Sequence, residues 1–234
     1  MDMNRNFAAL AGIFLCLVVT TCIPAMAYSD NAVQLFDEGN QYLAAKNYTR
    51  AVTAFDQAIA LEPTYYEAWD RKADALNRAG EFSDALAAST QAIGIHPNYA
   101  DGWINRGQIL YNIGYYYEDQ QQNPAKAQEY YTQQLLAFEK ATEIEPGNPE
   151  AWFNKGYALA GMKRYDEAIA AFDRVQALDP AYPNLALSQK QARVLRDAAT
   201  PVYVRYAVPI IGIVTIAAIL AGWYLHSRKR SEDE

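Results

Sequence analysis

The 234-residue sequence predicts an all-α fold, a solenoid of about four helical hairpins, and three observations carry that expectation. The phrase RAVTAFDQAIALEP at 50–63 returns as DEAIAAFDRVQALDP at 166–180, with apolar residues at helical spacing and a closing acid and proline in both. Closing prolines fall at Pro63, Pro97, Pro146 and Pro180, separated by 34, 49 and 34 residues. Finally, EAWDRKADAL, DGWINRGQIL and EAWFNKGYAL open successive segments, with Trp69, Trp103 and Trp152 in one register and Leu35 in the corresponding place of the first.

Each element follows from this frame. The repeats span about 32–65, 66–99, 100–148 and 149–182. In the first helix of each, Gly39, Ala73, Gly107 and Gly156 keep one position small, so that the second helix can approach closely. In the second helix Ala51, Ala85 and Ala168 hold a small site and Phe55, Phe138 and Phe172 a large one. Ser89 in repeat two and Gln134 in repeat three depart from that pattern. A hairpin of this size cannot bury its apolar face alone, so stacking builds the core and the ends need caps. The segment 183–199 keeps Leu185, Leu187, Val194 and Leu195 among Lys190, Arg193 and Arg196, and reads as a polar-faced capping helix before Pro201.

These spacings and markers resemble the tetratricopeptide repeat family. The resemblance implies a right-handed superhelix whose concave face is lined by the first helix of each repeat. It places the groove at Val33, Phe36, Asp37 and Asn40, at Glu67, Asp70, Arg71 and Asp74, at Asp101, Ile104, Asn105 and Gln108, and at Glu150, Phe153, Asn154 and Tyr157. The carboxylate clamp known in this family needs Lys and Arg at several of these places. Phe36 and Asp101 stand where lysines are expected, and two amides, Asn40 and Asn105, cannot neutralise a peptide carboxylate. The clamp is therefore excluded. The acids either form a solvated face or favour a protein or peptide ligand with basic or amide groups and an apolar anchor.

Repeat three carries 15 extra residues near Asn123-Pro124, a turn signal flanked by helix-compatible sequence, which predicts a hairpin lengthened by about two turns per arm. Tyr115, Tyr116, Tyr117, Tyr130 and Tyr131 concentrate there. They either form a contact surface, which tyrosine favours, or close the longer hairpin on itself or a neighbour. Asn47-Tyr48-Thr49 is an N-x-T sequon in the turn of repeat one, an acceptor for glycosylation if the chain is exported.

Both ends read as membrane-directed. Residues 1–27 form an expected signal peptide, apolar after Arg5 and closing at Ala25-Met26-Ala27, with an uncleaved anchor as the alternative. Residues 207–225 are 19 without a charge, flanked by Tyr203, Tyr206, Trp223 and Tyr224, and are expected to span a membrane. Arg228, Lys229 and Arg230 in the tail, 226–234, make that end cytoplasmic by charge asymmetry. The expected localisation is thus a single-pass cell-membrane protein with repeats at 28–200 outside the cytoplasm. Cys16 and Cys22 both lie in the expected signal, leaving the rest without thiols.

A net charge of -7 and a pI of about 4.9 argue against nucleic acid, which demands clustered cations. No catalytic triad, metal-binding spacing or phosphate loop occurs, and the only histidines are His96 and His226. No cofactor, metal site or enzymatic activity is expected. The leading expectation is a membrane-anchored scaffold for protein complexes; the alternatives are an assembly factor or chaperone for exported chains, and a glycan-binding module built on the tyrosines.

Overall fold

The computed structural model describes residues 28–201, which form nine helices. They are α1 (Asp30–Ala44), α2 (Tyr48–Leu61), α3 (Tyr66–Ala79), α4 (Phe82–Ile95), α5 (Ala100–Asp119), α6 (Pro124–Ile144), α7 (Pro149–Gly161), α8 (Tyr165–Leu178) and α9 (Leu185–Ala199). Local chemistry sets their ends. The side-chain oxygens of Asn47, Asn123 and Asn148 accept from backbone N–H groups in the first turns of α2, α6 and α7. Pro124 and Pro149 stand at helix starts, where a missing N–H costs nothing. Gly80 ends α3 at φ 83°, a left-handed conformation that glycine adopts freely.

The helices pair as α1–α2, α3–α4, α5–α6 and α7–α8, and α9 closes the last pair. Successive first helices also touch one another, α1 with α3, α3 with α5, α5 with α7 and α7 with α9. Among the described residues, the second helices do not meet each other. First helices held closer than second helices bend the array, with α1, α3, α5, α7 and α9 on its inner side.

Two devices repeat along the array. The indole N–H of Trp69, Trp103 and Trp152 donates to the carbonyl of Pro63, Pro97 and Pro146, at 3.0, 2.9 and 2.9 Å. Each tryptophan thereby ties the inter-repeat loop to the helix that follows it. The first repeat has no such loop before it among the described residues and carries Leu35 instead.

Inside each hairpin the helices cross where a glycine faces a phenylalanine. A Cβ added to Gly39 would lie 2.5 Å from the Phe55 ring, and one at Gly156 would lie 2.7 Å from Phe172; Gly107 meets Phe138 in the same way. Repeat two exchanges both partners, with buried Ala73 and Ser89 at the corresponding positions. The extended hairpin uses the pairing twice, since a Cβ on Gly114 would lie 2.6 Å from the Tyr131 ring, one heptad beyond Gly107 and Phe138. The 20 residues of α5 and 21 of α6, against 13 to 15 in the other helices, create this overhang.

One expectation about fold class is corrected. Among the described residues no helix is long and apolar enough to cross a membrane. The two helices of sufficient length are interrupted by charge, Asp101, Arg106 and Glu118 in α5 and Lys126, Glu129 and Glu139 in α6. A membrane-crossing C-terminal helix is thus no part of the observed architecture, and the single-pass membrane localisation is corrected with it. The stretches at 1–27, 207–225 and 226–234 on which those expectations rested lie outside the described residues.

Candidate functional site

The groove positions inferred from the repeat register divide into two groups. The fifth position of each first helix, held by Phe36, Asp70, Ile104 and Phe153, faces the next repeat rather than open solvent. The Phe36 ring lies 5.8 Å from Phe55 and 5.0 Å from Tyr65, and Phe153 lies 5.6 Å from Phe172 and 4.9 Å from Tyr182. Tyr65, Tyr99 and Tyr182 each follow a closing proline by two residues, and each covers the fifth position of the preceding repeat. That proline-to-tyrosine spacing is the signal in the sequence that marks these positions as covered.

Asp70 is the polar member of this set, only 3% exposed. Asn105 Nδ2 donates to its Oδ1 at 2.7 Å and to its backbone carbonyl at 3.0 Å, while the Tyr99 hydroxyl donates to Oδ2 at 3.3 Å. Burial pushes the Asp70 carboxyl up to about 6, against the opposing pull of the Asn105 bond, the Arg71 charge and Tyr99. Burial and the charges of Asp70 and Asp101 raise the Tyr99 phenol far above its usual range, so it remains a donor. Asp70 and Asn105 thus join repeats two and three. Glu67 accepts from Tyr28 at 3.2 Å, at the first end of the array. Asn40 is half-buried on α1.

Val33 and Asp37 line a separate cleft along α1, whereas the remaining positions of repeats two to four converge. Arg71, Asp74, Asp101, Asn105, Gln108 and Glu150 line an inner cleft of about 340 Å3, together with Arg78, Asp70 and Ile104. Arg78 Nε donates to Asp74 at 2.8 Å, whereas Asp101 and Glu150 are exposed and form no ion pair with another described residue. A second cleft of about 320 Å3 continues from Asp74, Arg78 and Gln108 to Asn154, Tyr157, Tyr111, Asn112 and Gln134. Asn112 Nδ2 donates to Asn77 Oδ1 at 2.9 Å beside it, repeating the amide link between neighbouring first helices. The register missed Tyr111 and Arg78, which lie beyond the ninth helical position, and Gln134, whose departure from alanine is visible in the sequence but gives no sign that it reaches the groove.

The tyrosines of the long hairpin serve different ends. Tyr117 stacks on Tyr130 at 5.4 Å, with Lys126 Nζ 4.2 Å from the Tyr117 ring centroid. Tyr131 donates to Glu118 at 2.6 Å, and burial holds its phenol above the usual range. Tyr116 lies 6.3 Å from Phe82 and is 40% exposed, while Tyr115 is 53% exposed. Asn47 is exposed, and its carboxamide oxygen is committed to capping α2. Among the described residues, no group of three or more His, Cys, Asp and Glu converges as a metal site.

Stacked helical hairpins with a groove on the inner helices define an α-solenoid, a class whose curvature presents an extended concave surface. The tetratricopeptide repeat model matches residues 36–100 and 111–183, more than half of the sequence, and the chain belongs to the tetratricopeptide repeat family. Crystal structures similar in fold include a thermophilic TPR protein of Thermus thermophilus, at 20% identity and a TM-score of 0.59, covering 70% of this chain and 81% of that one. The MamA protein is similar at 16% identity and a TM-score of 0.55, covering 72% and 86%. YrrB, a TPR protein with an unusual peptide-binding site, is similar at 18% identity and a TM-score of 0.54, covering 72% and 79%. No curated protein sequence matches the chain.

Proposed function

We propose that this protein is a binding scaffold, not an enzyme, that holds a basic or amide-rich peptide segment of a protein partner along its inner helices. The observation that carries this reading is the pair of exposed carboxylates, Asp101 and Glu150, which form no ion pair with another described residue, in a cleft also lined by Asn105, Gln108 and Arg71. Asp74 is already matched by Arg78, and Asp70 is buried against Asn105, so these two acids contribute little further charge. A Lys or Arg of a ligand would meet Asp101 and Glu150, while Gln108 and Asn154 would meet its backbone. The peptide-binding site of YrrB lends support by fold alone.

Fluorescence anisotropy with a lysine-rich peptide tests the reading. Binding should weaken as ionic strength rises, and Asp101→Lys combined with Glu150→Lys should reduce affinity at least about tenfold. Affinity unchanged by that double reversal would overturn it.

A further inference from the structure

The overhang of α5 and α6 does more than lengthen a hairpin. Beside the turn after α7 and the exposed side of α9 it encloses a third cleft of about 650 Å3, which shares Tyr111, Gln134 and Tyr157 with the second. Tyr111, Tyr115, Tyr131 and Tyr157 supply aromatic rings, with Met162 and Leu195 also in the lining. The Tyr111 ring lies 6.1 Å from Tyr131 and 6.4 Å from Tyr157, the second contact edge-on. Tyr115 and Tyr157 are each 53% exposed.

Gln134 is the unusual member. It is 5% exposed and its side chain makes no hydrogen bond with another described residue, yet it lines both clefts. Among the described residues no fully enclosed side-chain polar atom lacks a partner, so the amide atoms of Gln134 keep some exposure. The other three repeats carry Ala51, Ala85 and Ala168 at this position, so hairpin packing does not require a long amide. The NH2 group of this amide is free to donate to a carbonyl that enters the cleft.

Hydrogen-bonding capacity narrows the class of ligand. Glu118 is the one carboxylate among the described lining residues, and Tyr131 already donates to it. The groups left over are phenols, carboxamides, the Ser188 hydroxyl and the Lys163 ammonium; all can donate, the ammonium can only donate, and the others also accept. Rings to stack upon, beside a donor-only ammonium and the unpartnered Gln134 amide, suit a chain that offers backbone carbonyl oxygens and flat apolar rings. A proline-rich segment has this composition, and its polyproline II conformation needs little further ordering on binding.

We propose that this cleft binds a proline-rich segment in the polyproline II conformation, with proline rings against Tyr111, Tyr115 and Tyr157 and a backbone carbonyl accepting from Gln134. It is a second subsite beside the acidic cleft, and it rests on the peptide-binding reading only in that both subsites serve one polypeptide partner.

The test is calorimetric titration of the full chain with acetylated, amidated octaproline, alongside a glycine–serine octamer and cellohexaose. Octaproline should bind saturably and the other two should not. Gln134→Ala installs the residue present in the other repeats and should weaken binding about fivefold, the loss of one hydrogen bond. Tyr157→Ala alters an exposed side chain and should weaken it about tenfold. Circular dichroism confirms that both variants stay helical. The double reversal of Asp101 and Glu150 should leave octaproline affinity unchanged, so the two subsites fail or stand separately. Absence of saturable octaproline binding, equal affinity for the glycine–serine octamer, or indifference to both variants would overturn the proposal. Cellohexaose binding that depends on Tyr157, with none for octaproline, would overturn it in favour of a saccharide.

Discussion

Repeats two and three stand side by side on the same frame and close their hairpins differently. In repeat three, Gly107 and Gly114 each admit an aromatic ring from α6, Phe138 and Tyr131, so the two long helices are clasped twice. In repeat two, Ala73 stands in place of the glycine, and Ser89 on α4 turns its hydroxyl to the Leu86 carbonyl at 2.9 Å. The Arg106 guanidinium from α5 then approaches, bonding Thr90 at 2.7 Å and Ser89 at 3.4 Å. A hairpin seam tolerates either partner set so long as the two members change together. What repeat two lacks in apolar seam is accompanied by polar links to repeat three, through Asp70, Tyr99 and Asn105.

The largest expected difference between the two seams is in ring deletion. Phe138→Ala should lower the stability of repeat three by about 3–5 kcal/mol, since it empties a buried site. Ser89→Ala should cost about 1 kcal/mol through its lost hydrogen bonds. Urea unfolding followed by circular dichroism measures both; equal losses would show that the seams are energetically alike.

Next is the polar link. The Asp70 carboxyl rises from 3.8 to about 6 on folding, so the folded state holds its proton more tightly than the unfolded chain does. Its contribution is therefore fully present below about pH 4 and is lost as pH climbs through about 6. The charges facing it are Arg71 and Asp74, and the neutral Tyr99 hydroxyl and Asn105 amide donate to it. Asp70→Asn keeps an acceptor for Asn105 and should stabilise the protein at pH 7.5 by about 2 kcal/mol, with little effect at pH 4. Urea titrations at the two pH values decide this, and a larger gain at the acid end would contradict the assignment.

A smaller effect sharpens the seam argument. Ser89→Phe should destabilise by about 1–3 kcal/mol through overpacking against Ala73. Adding Ala73→Gly should recover at least half of that loss, because the pair then matches Gly39 with Phe55. A double-mutant cycle reads the coupling directly. A change as small as that of Ser89→Ala is expected at the loop tie: Trp103→Phe keeps a ring but removes the donor to Pro97, costing about 1 kcal/mol.

Much of this architecture was legible in linear order. The closing prolines, the tryptophans six residues behind Pro63, Pro97 and Pro146, and the small residues facing Phe55, Phe138 and Phe172 are local relations repeated along the chain. The groove was only half legible. Counting helical positions named Arg71, Asp74, Asp101, Asn154 and Tyr157, which line the inner clefts, and also Phe36 and Phe153, which the next repeat's tyrosines cover. Counting along one helix reports which way a side chain points and says nothing of what another repeat lays over it.

Period, hairpin boundaries and helix caps follow from near-neighbour chemistry, since a proline, an asparagine cap or a glycine exerts its effect within a few residues of its own position. Burial and cleft formation depend on groups tens of residues apart. Asp70 is withdrawn from solvent by Tyr99 and Asn105, and Tyr111 meets Tyr157 across two helices of unequal length. Those distances come from the stacking angle of successive repeats and from the two extra turns of α5 and α6, which set what each inner side chain faces.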